Sequence, residues 1–286
     1  MKRFLISVPK KTGVYYPLQG TYRRGLRSLQ RLINSIKFFR YKGKGFLCNI
    51  CGRSYKKFVS DYPSSENRKA IDTNNVIAGY GENIICPNCM STARERLVMI
   101  MLNEHFDLKG KKVLHLSPEK PIYNFLKLKC EVITADLNPG YYSYINSATR
   151  AADLMKLPFE NEAFDLVIGN HILEHIPDDT RAMKEIFRVL KVGGRAILQV
   201  PYSENLASTI EEPLIDDPPR QSLLFGQKDH VRIYQFNDYV QRLRSAGFTV
   251  NILTSTELEL YAIHAIQKGE HFLMIYRETW EIQAKD

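Results

Sequence analysis

The chain has 286 residues, 44% of them hydrophobic, and a formal net charge of +9. That length can bury one full-sized core and a smaller module, and no apolar run approaches the roughly 18 residues of a membrane span. The apolar stretch near the N-terminus has about five residues, fewer than the ~7–15 of a secretory signal. We therefore expect a cytoplasmic protein rather than an exported or integral membrane protein.

Positive charge is concentrated in residues 1–45, a basic arm. The arm has 12 Lys and Arg and no Asp or Glu, so +9 in total against +12 in the arm leaves the rest of the chain at −3. From Tyr22 to Tyr41, apolar residues recur every three or four positions among basic ones, which predicts an amphipathic helix. The apolar positions are Leu26, Leu29, Leu32, Ile33, Ile36 and Phe39.

Three interpretations of residues 22–41 stay open. The helix docks on the rest of the protein, lies peripherally on an anionic membrane at its inner face, or binds nucleic acid. Nucleic acid is the least favoured, because the body of the chain is net acidic.

Residues 46–90 contain two cysteine pairs with the spacing of metal-binding knuckles. The cysteines are Cys48, Cys51, Cys86 and Cys89. Two residues between the members of a pair let both thiolates reach one ion, and two pairs complete the four-sulfur shell that suits Zn²⁺. Because this shell has no open position, we predict a structural zinc site. A loop over Ser60–Asn75 is expected between the pairs, and the lone Cys130 is expected in the core.

Residues 91–286 alternate between strand and helix patterns, which is typical of a parallel α/β sheet. A capping box of Thr92 and Glu95 predicts the first helix. The other predicted helices cover Pro121–Leu128, the amphipathic segment from Met183 that ends at Gly193–Gly194, and Asn237–Ala246. The predicted strands are Val113–Leu116, Val132–Ala135, Ala148–Leu154, Phe164–Ile168, Ala196–Val200, Val250–Leu253 and His271–Tyr276.

Polar residues follow three of these strands in turn. Asp136 ends the second strand, where a carboxylate can accept hydrogen bonds from both hydroxyls of a ribose. Asp153 lies at the end of the third strand, and the histidine-rich segment Asn170–His175 follows the fourth. Ligands of such sheets bind beyond the carboxyl ends of the strands, so we expect these residues to form one site.

Residues 111–201 resemble the core of a class I S-adenosylmethionine-dependent methyltransferase. The resemblance rests on Ala135–Asp136, Ala152–Leu154 with Leu157–Phe159, Phe164–Pro177 and Arg188–Gly194. It implies a Rossmann-like α/β fold whose seven-stranded sheet has an antiparallel last strand, here preceded by the small zinc-binding module. The implied cofactor is S-adenosyl-L-methionine.

The resemblance also implies roles for individual residues. Asp136 would bind the ribose, Asp153 and Leu154 would lie near the adenine, and Asn170 and His171 would line the face of the methyl donor. The first loop, Leu116-Ser117-Pro118-Glu119, lacks the glycines usual there, and Glu119 is expected to meet the α-ammonium group of the cofactor.

Residues 202–234 are predicted to form a loop that acts as a lid over the acceptor. A hydroxyl acceptor needs a general base, for which His171, His175 and His230 are the candidates. Asp229 or another carboxylate would orient His230, whereas Arg232 would hold an anionic acceptor with Tyr234 and His175 nearby. The alternative is that His230 and Arg232 only hold the lid in place and that His175 packs in the interior. His115 lies within a strand and is expected to be a core histidine.

These features predict methyl transfer to a hydroxyl or amine of a small molecule or saccharide, including a lipid-linked or surface-polysaccharide acceptor. An alternative is an RNA methyltransferase that holds RNA with its zinc module and basic arm. A further alternative is a non-catalytic scaffold with the methyltransferase fold, which the missing glycines would favour.

Overall fold

The computed structural model describes residues 29, 33–34 and 36–278. Most of the predicted basic arm, including Leu26 and Leu32, therefore lies outside the described residues. Leu29, Ile33 and Ile36 have helical backbone, as predicted. Among the described helices, none is long and apolar enough to cross a membrane.

The cysteine-containing part of the chain forms two antiparallel ladders and a helix. Its elements are β1 (Lys42–Leu47), β2 (Ser54–Tyr55), β3 (Val59–Asp61), α1 (Ser65–Thr73) and β4 (Gly81–Ile85), with β1 paired to β2 and β3 to β4. The loop predicted over Ser60–Asn75 is wrong, because most of that segment is helix α1. Its polar composition reflects exposure: only Ala70 and Ile71 of α1 are buried.

The central sheet has seven strands in the order β13-β14-β9-β8-β5-β6-β7. Their bounds are β5 (Lys112–Leu116), β6 (Glu131–Asp136), β7 (Arg150–Ala151), β8 (Phe164–Ile168), β9 (Leu190–Ile197), β13 (Thr249–Leu253) and β14 (Phe272–Tyr276). Strand β14 is antiparallel to both neighbours, whereas β5 to β9 run parallel. The predicted Rossmann-like α/β sheet with an antiparallel last strand is confirmed.

Helices cover both faces of this sheet. They are α2 (Ala93–His105), α3 (Lys120–Leu126), α4 (Asp179–Val189), α6 (Phe236–Ser245) and α7 (Ser255–Leu258). Buried residues of α4 and α6 belong to one hydrophobic cluster, and those of α2 and α3 belong to the other. The predicted capping box of α2 is present, with the Glu95 amide 3.2 Å from Thr92 Oγ1.

Several predicted boundaries are wrong, and two of them are wrong for identifiable reasons. The strand predicted over Ala148–Leu154 is only Arg150–Ala151, and the one predicted over Ala196–Val200 is Leu190–Ile197. Gly193 and Gly194 do not end a helix but lie within β9, where the pairing with β8 shifts register. Gly193 has φ +77, a conformation that suits a β-bulge. Helix α6 is capped by Gln235 rather than Asn237, because the Gln235 side chain accepts the Asp238 amide at 2.8 Å.

The segment predicted as a continuous lid loop, residues 202–234, is largely structured. It contains β10 (Tyr202–Ser203), β11 (Ile210–Glu211), α5 (Pro218–Phe225) and most of β12 (Arg232–Gln235), and the strands form a separate sheet in the order β10-β12-β11. Helix α5 packs near α1, and Phe225 shares a buried cluster with Ile71. Residues 202–234 are thus attached to the cysteine-containing part.

Candidate functional site

The cysteine side chains converge on one point. The Sγ atoms of Cys48 and Cys89 are 3.6 Å apart, and those of Cys51 and Cys86 are 3.8 Å apart. All four Sγ atoms lie within 4.8 Å of one another. Tetrahedral ligands at a Zn–S distance of ~2.3 Å are separated by about 3.8 Å, so the cluster has the size that zinc requires.

Arg96, which the sequence did not single out, joins this cluster to the main domain. Its guanidinium is fully buried and donates to the carbonyl oxygens of Ser91 at 2.7 Å and His264 at 2.6 Å. It also lies over the ring of Phe58, 4.7 Å from the centroid. A buried cation that bridges both parts holds the cluster against the domain and favours the thiolate forms of the cysteines.

The polar residues predicted to bind the cofactor lie at the carboxyl ends of adjacent strands. Asp136 is the last residue of β6, and its Oδ2 accepts the Ser117 hydroxyl at 2.6 Å. Ser117 follows β5 and has φ +43, a left-handed conformation that is uncommon for residues other than glycine. In this conformation its hydroxyl orients the Asp136 carboxylate.

A hydrogen-bonded chain lies beside Ser117. Glu119 Oε1 is 3.1 Å from Arg94 Nε, and Glu119 Oε2 accepts the Asn170 amide at 2.8 Å. Asn170 is 6% exposed, and its Oδ1 has no hydrogen-bond partner among the described residues. A buried acceptor without a partner is costly, so this oxygen favours a ligand with a donor group at the site.

The other predicted cofactor residues differ in exposure. Leu116 and Leu154 are 5% and 8% exposed. Asp153 is exposed, and its Oδ1 accepts the Met155 amide at 2.9 Å, within a short turn closed by Lys156. The Asp153 carboxylate is therefore open to solvent and is held by its own turn.

Next to Asn170, three histidines surround a carboxylate that sequence reasoning did not select. Glu174 is fully buried, and His171 Nδ1 and His230 Nε2 are 3.4 Å and 3.9 Å from its Oε1. The rings of His175 and His230 meet edge to face at 4.6 Å. His171 has φ +51, a strained conformation that turns its side chain toward Glu174. The predicted base candidates thus lie together.

Burial dominates the protonation of this group. It raises the pKa of Glu174 to about 7, partly opposed by the charge of His175. Burial lowers the pKa of His230 to about 3 and that of His171 well below its usual value, with the Arg94 charge adding to the effect on His171. At neutral pH His171 and His230 are therefore neutral.

Two predicted acceptor-side residues, Arg232 and Tyr234, have other surroundings. Arg232 is 1% exposed and donates to Glu211 Oε2 at 3.0 Å and to the Leu173 carbonyl at 2.9 Å, so it secures the turn that holds Glu174. Tyr234 is fully buried, and its hydroxyl donates to Asp179 Oδ2 at 2.7 Å. These placements disfavour contact with an acceptor, because both side chains are enclosed by protein.

Asp229 lies beside His175 rather than beside His230. The Asp229 carbonyl oxygen is 3.1 Å from His175 Nδ1, and its carboxylate is 3.7 Å from the same atom. It therefore orients a different histidine from the one predicted. His115 is buried as predicted, but only its Nε2 has a partner among the described residues, the Glu119 amide at 3.2 Å.

Sequence reasoning missed Glu174, Arg94, Tyr142 and Glu270. Tyr142 ends a 3-10 turn after β6, and burial, with the Asp136 charge, raises its pKa to about 12. The sequence could have indicated Arg94, since this residue lies shortly after the second cysteine pair. Glu174 lies within the predicted segment Asn170–His175, but its burial and that of Glu270 depend on contacts between distant parts of the chain, which the sequence does not reveal.

The buried carboxyl group of Glu270 should make the free energy of unfolding depend on pH. It is 7% exposed, and burial raises its pKa to about 7, with the Arg94 charge opposing. Between its unfolded pKa of ~4.3 and 7, the folded state keeps a proton that the unfolded state loses. The free energy of unfolding therefore falls as pH rises through this window, by on the order of 3 kcal/mol. Glu270→Gln should remove this component and be more stable than wild type at pH 8.

Urea unfolding at pH 5, 6, 7 and 8 measures this difference. Glu82→Gln, a substitution of an exposed carboxylate, is the matched control and should keep the wild-type pH dependence. If the free energy of unfolding changed with pH in the same way for wild type and Glu270→Gln, the buried carboxyl group would not contribute as stated.

Comparison with known proteins gives matches over part of the chain. Residues 120–198 match the family described as a methyltransferase domain. The chain is 30% identical over 115 residues to the uncharacterized protein YafE of Escherichia coli (strain K12), which covers 40% of this chain and 53% of YafE. It is 28% identical over 159 residues to Methyltransferase GfsG of Streptomyces halstedii, which covers 50% of this chain and 57% of GfsG.

The S-adenosylmethionine-dependent methyltransferase structure from Mesorhizobium loti is 16% identical and covers 64% of this chain and 97% of that chain, with a TM-score of 0.47. The chain spans less than two thirds of the length of the curated relatives YafE and GfsG.

Proposed function

We propose, from the premise that the chain contains a methyltransferase domain over residues 120–198, that the protein transfers a methyl group from S-adenosylmethionine. The acceptor is a hydroxyl or amine of a small molecule or saccharide. The observation that supports this most directly is the juxtaposition of the Asp136–Asn170 edge with the histidines around Glu174. A cofactor site and a group of proton acceptors then lie side by side at one sheet edge.

The residues at this edge fit the cofactor. Asp136 accepts two hydrogen bonds from the protein, from Ser117 and Asn138, and a carboxylate has further lone pairs for ribose hydroxyls. The unpartnered Asn170 Oδ1 suits a cationic donor such as the α-ammonium group. Glu119 is bonded to both Arg94 and Asn170, so we propose that it positions Asn170 and adds negative charge. When bound, the cofactor supplies an electrophilic methyl group on sulfur.

We propose that His171 accepts the proton of the acceptor. It directly follows Asn170, so it lies on the cofactor side of the histidine group, and its ring is turned toward Glu174 by the strained backbone. His175 and His230 lie behind it, and Asp229 orients His175. Methyl transfer is an in-line displacement, so the main task of these residues is to align the acceptor with the methyl group.

We also propose that Cys48, Cys51, Cys86 and Cys89 bind a structural Zn²⁺ ion. The Sγ separations of 3.6 and 3.8 Å support this ligand set. All the thiolates are used in one closed shell, so the ion would fix the fold of this part of the chain rather than take part in the reaction.

Calorimetry with S-adenosylmethionine and the zinc-loaded full chain tests the cofactor proposal. We expect saturable binding with one site per chain, and mass spectrometry of extracts incubated with the protein should show a 14-dalton increment on a small molecule. Absence of any heat from folded protein would contradict the proposal and favour the non-catalytic scaffold. An increment found only on RNA would favour the RNA methyltransferase alternative.

The described end of the basic arm supports a peripheral membrane contact. Leu29, Ile33, Ile36 and Phe39 are 53%, 45%, 72% and 65% exposed, although they form the predicted apolar side of the helix. Basic residues lie around them, with Lys42 Nζ 4.8 Å from the Phe39 ring and Lys57 Nζ 4.5 Å from the Tyr41 ring. Docking on the protein through this side is disfavoured, so we propose that it lies on an anionic lipid surface.

Sedimentation with lipid vesicles tests this contact. Vesicles that contain anionic lipid should bind the protein at least about tenfold more tightly than neutral ones, because each basic residue near the surface contributes roughly 1 kcal/mol. The double variant Ile33→Asn/Ile36→Asn should weaken binding to both kinds. Leu128→Asn, at a site 82% exposed on another element, is the control. The contact would be refuted if Ile33→Asn/Ile36→Asn bound vesicles as tightly as Leu128→Asn. It would also be refuted if the protein preferred a short RNA over anionic vesicles.

A further inference from the structure

The group around Glu174 has the composition of a metal site. Glu174, His175 and His230 each offer one ligand atom, and these atoms lie within 4.8 Å of one another. His175 belongs to the same short turn as Glu174, whereas His230 comes from the segment before β12. We propose that these three side chains bind a divalent transition-metal ion, separate from the zinc of the cysteine cluster.

The carboxylate provides the main argument. Glu174 is fully buried, and neither of its oxygens has a hydrogen-bond partner among the described residues. The imidazole nitrogens of His171 and His230 lie 3.4 Å and 3.9 Å from its Oε1, beyond normal hydrogen-bond length. A buried carboxylate without partners is unfavourable, and a coordinated cation removes that penalty. Ligands at ~2.1 Å from an ion are separated by about 3–4 Å, so small side-chain rotations suffice.

His175 is oriented as a metal ligand. Its Nδ1 is 3.1 Å from the Asp229 carbonyl oxygen, which requires that this nitrogen be the protonated one. The lone pair then lies on Nε2. Metal-binding histidines commonly donate their other N–H to a carbonyl or carboxylate in this way, which fixes the tautomer. Asp229 thus has a positioning role.

The ligand set determines the class of ion. Two imidazoles and one carboxylate suit Zn²⁺, Fe²⁺, Mn²⁺ or Co²⁺, whereas Mg²⁺ and Ca²⁺ prefer all-oxygen sites. Three protein ligands leave open coordination positions. The side chains of His175 and Asp229 are 33% and 59% exposed, so the open side faces solvent. The ion would bind the acceptor oxygen there and make its hydroxyl more acidic. That use of the ion rests on the proposed methyl transfer, but its binding does not.

Equilibrium dialysis of the zinc-loaded full chain against Co²⁺ tests the site. We expect one Co²⁺ per chain beyond the zinc, with visible d–d absorption and no thiolate charge-transfer band. Glu174→Gln should weaken Co²⁺ binding at least about tenfold. Glu270→Gln replaces a buried carboxylate that no histidine pair surrounds and should bind Co²⁺ like wild type. His230→Asn is the second test variant if Glu174→Gln fails to fold by circular dichroism.

Three outcomes would overturn the inference. They are no Co²⁺ retained by folded wild type, equal affinity in wild type and Glu174→Gln, or a charge-transfer band that locates the Co²⁺ at the cysteines. Calorimetry with S-adenosylmethionine on the same samples separates the two proposals. Cofactor binding without Co²⁺ binding refutes the metal site alone, whereas Co²⁺ binding without cofactor binding refutes the methyltransferase proposal alone.

Discussion

Replacement of Cys86 by serine is expected to release zinc and lower the melting temperature by roughly 6–12 °C. Cys86 is fully buried, and its Sγ lies 3.8 Å from that of Cys51. Loss of one of four ligands should cost about 3 kcal/mol or more, since zinc binding provides much of the folding free energy of such small modules. For a chain of this size, 1 kcal/mol corresponds to about 2–4 °C. Calorimetric melting and zinc analysis measure both effects.

Cys130→Ser is the matched control, because Cys130 is half-buried and outside the cluster. It should retain one zinc ion and melt close to wild type. Cys86→Ser should also weaken cofactor binding. Arg94 lies in the first turn of the helix that follows this cysteine pair, and its guanidinium contacts Glu119 at 3.1 Å. Full zinc content in Cys86→Ser would refute the ligand assignment.

Asp136→Asn should raise the dissociation constant for S-adenosylmethionine by at least about 100-fold. The substitution keeps the shape of the side chain but removes the charge that would accept both ribose hydroxyls. Hydrogen bonds to a charged group contribute roughly 1.5–3 kcal/mol each; the amide loses one acceptor oxygen and makes the other neutral, which together give an effect of about this size. Calorimetry with the cofactor measures it directly.

Asp165→Asn is the control for this prediction. Asp165 lies near the start of the central strand β8, away from the carboxyl ends of the strands, where it accepts the Lys112 amide and the Lys191 ammonium at 2.9 Å. Its substitution changes a carboxylate with protein partners but should leave cofactor affinity unchanged. If Asp136→Asn bound the cofactor as tightly as wild type, the ribose would have to lie elsewhere.

Local patterns predicted most of the sheet. The strand Phe164–Ile168 has the bounds that its apolar run indicates, and the Thr92–Glu95 capping box begins α2 as expected. Boundaries were wrong where a local signal had two meanings. The glycines at 193–194 are typical of a helix end, but the same freedom in φ also permits the bulge in β9. Only pairing with β8 decides between them.

The candidate site was predicted less completely. Asn170 and His171 were identified because they follow a strand, which periodicity reveals. Arg232 and Tyr234 were expected at the acceptor, yet they are buried, because Glu211, Asp179 and the turn before α4 enclose them. A polar side chain in a loop and one in a buried network look the same in sequence.

By itself, the sequence determined the α/β sheet, the cysteine pairs and the edge where Asp136 and Asn170 lie. These follow from periodicity and short spacings, which act between residues close in the chain. Only the tertiary structure decided that His230 returns to within 3.9 Å of Glu174, and that Arg94 reaches Glu119. Such contacts depend on long-range packing, which buries a carboxylate and removes its water. That burial raises the pKa of the Glu174 carboxyl group, and no local sequence pattern predicts the burial.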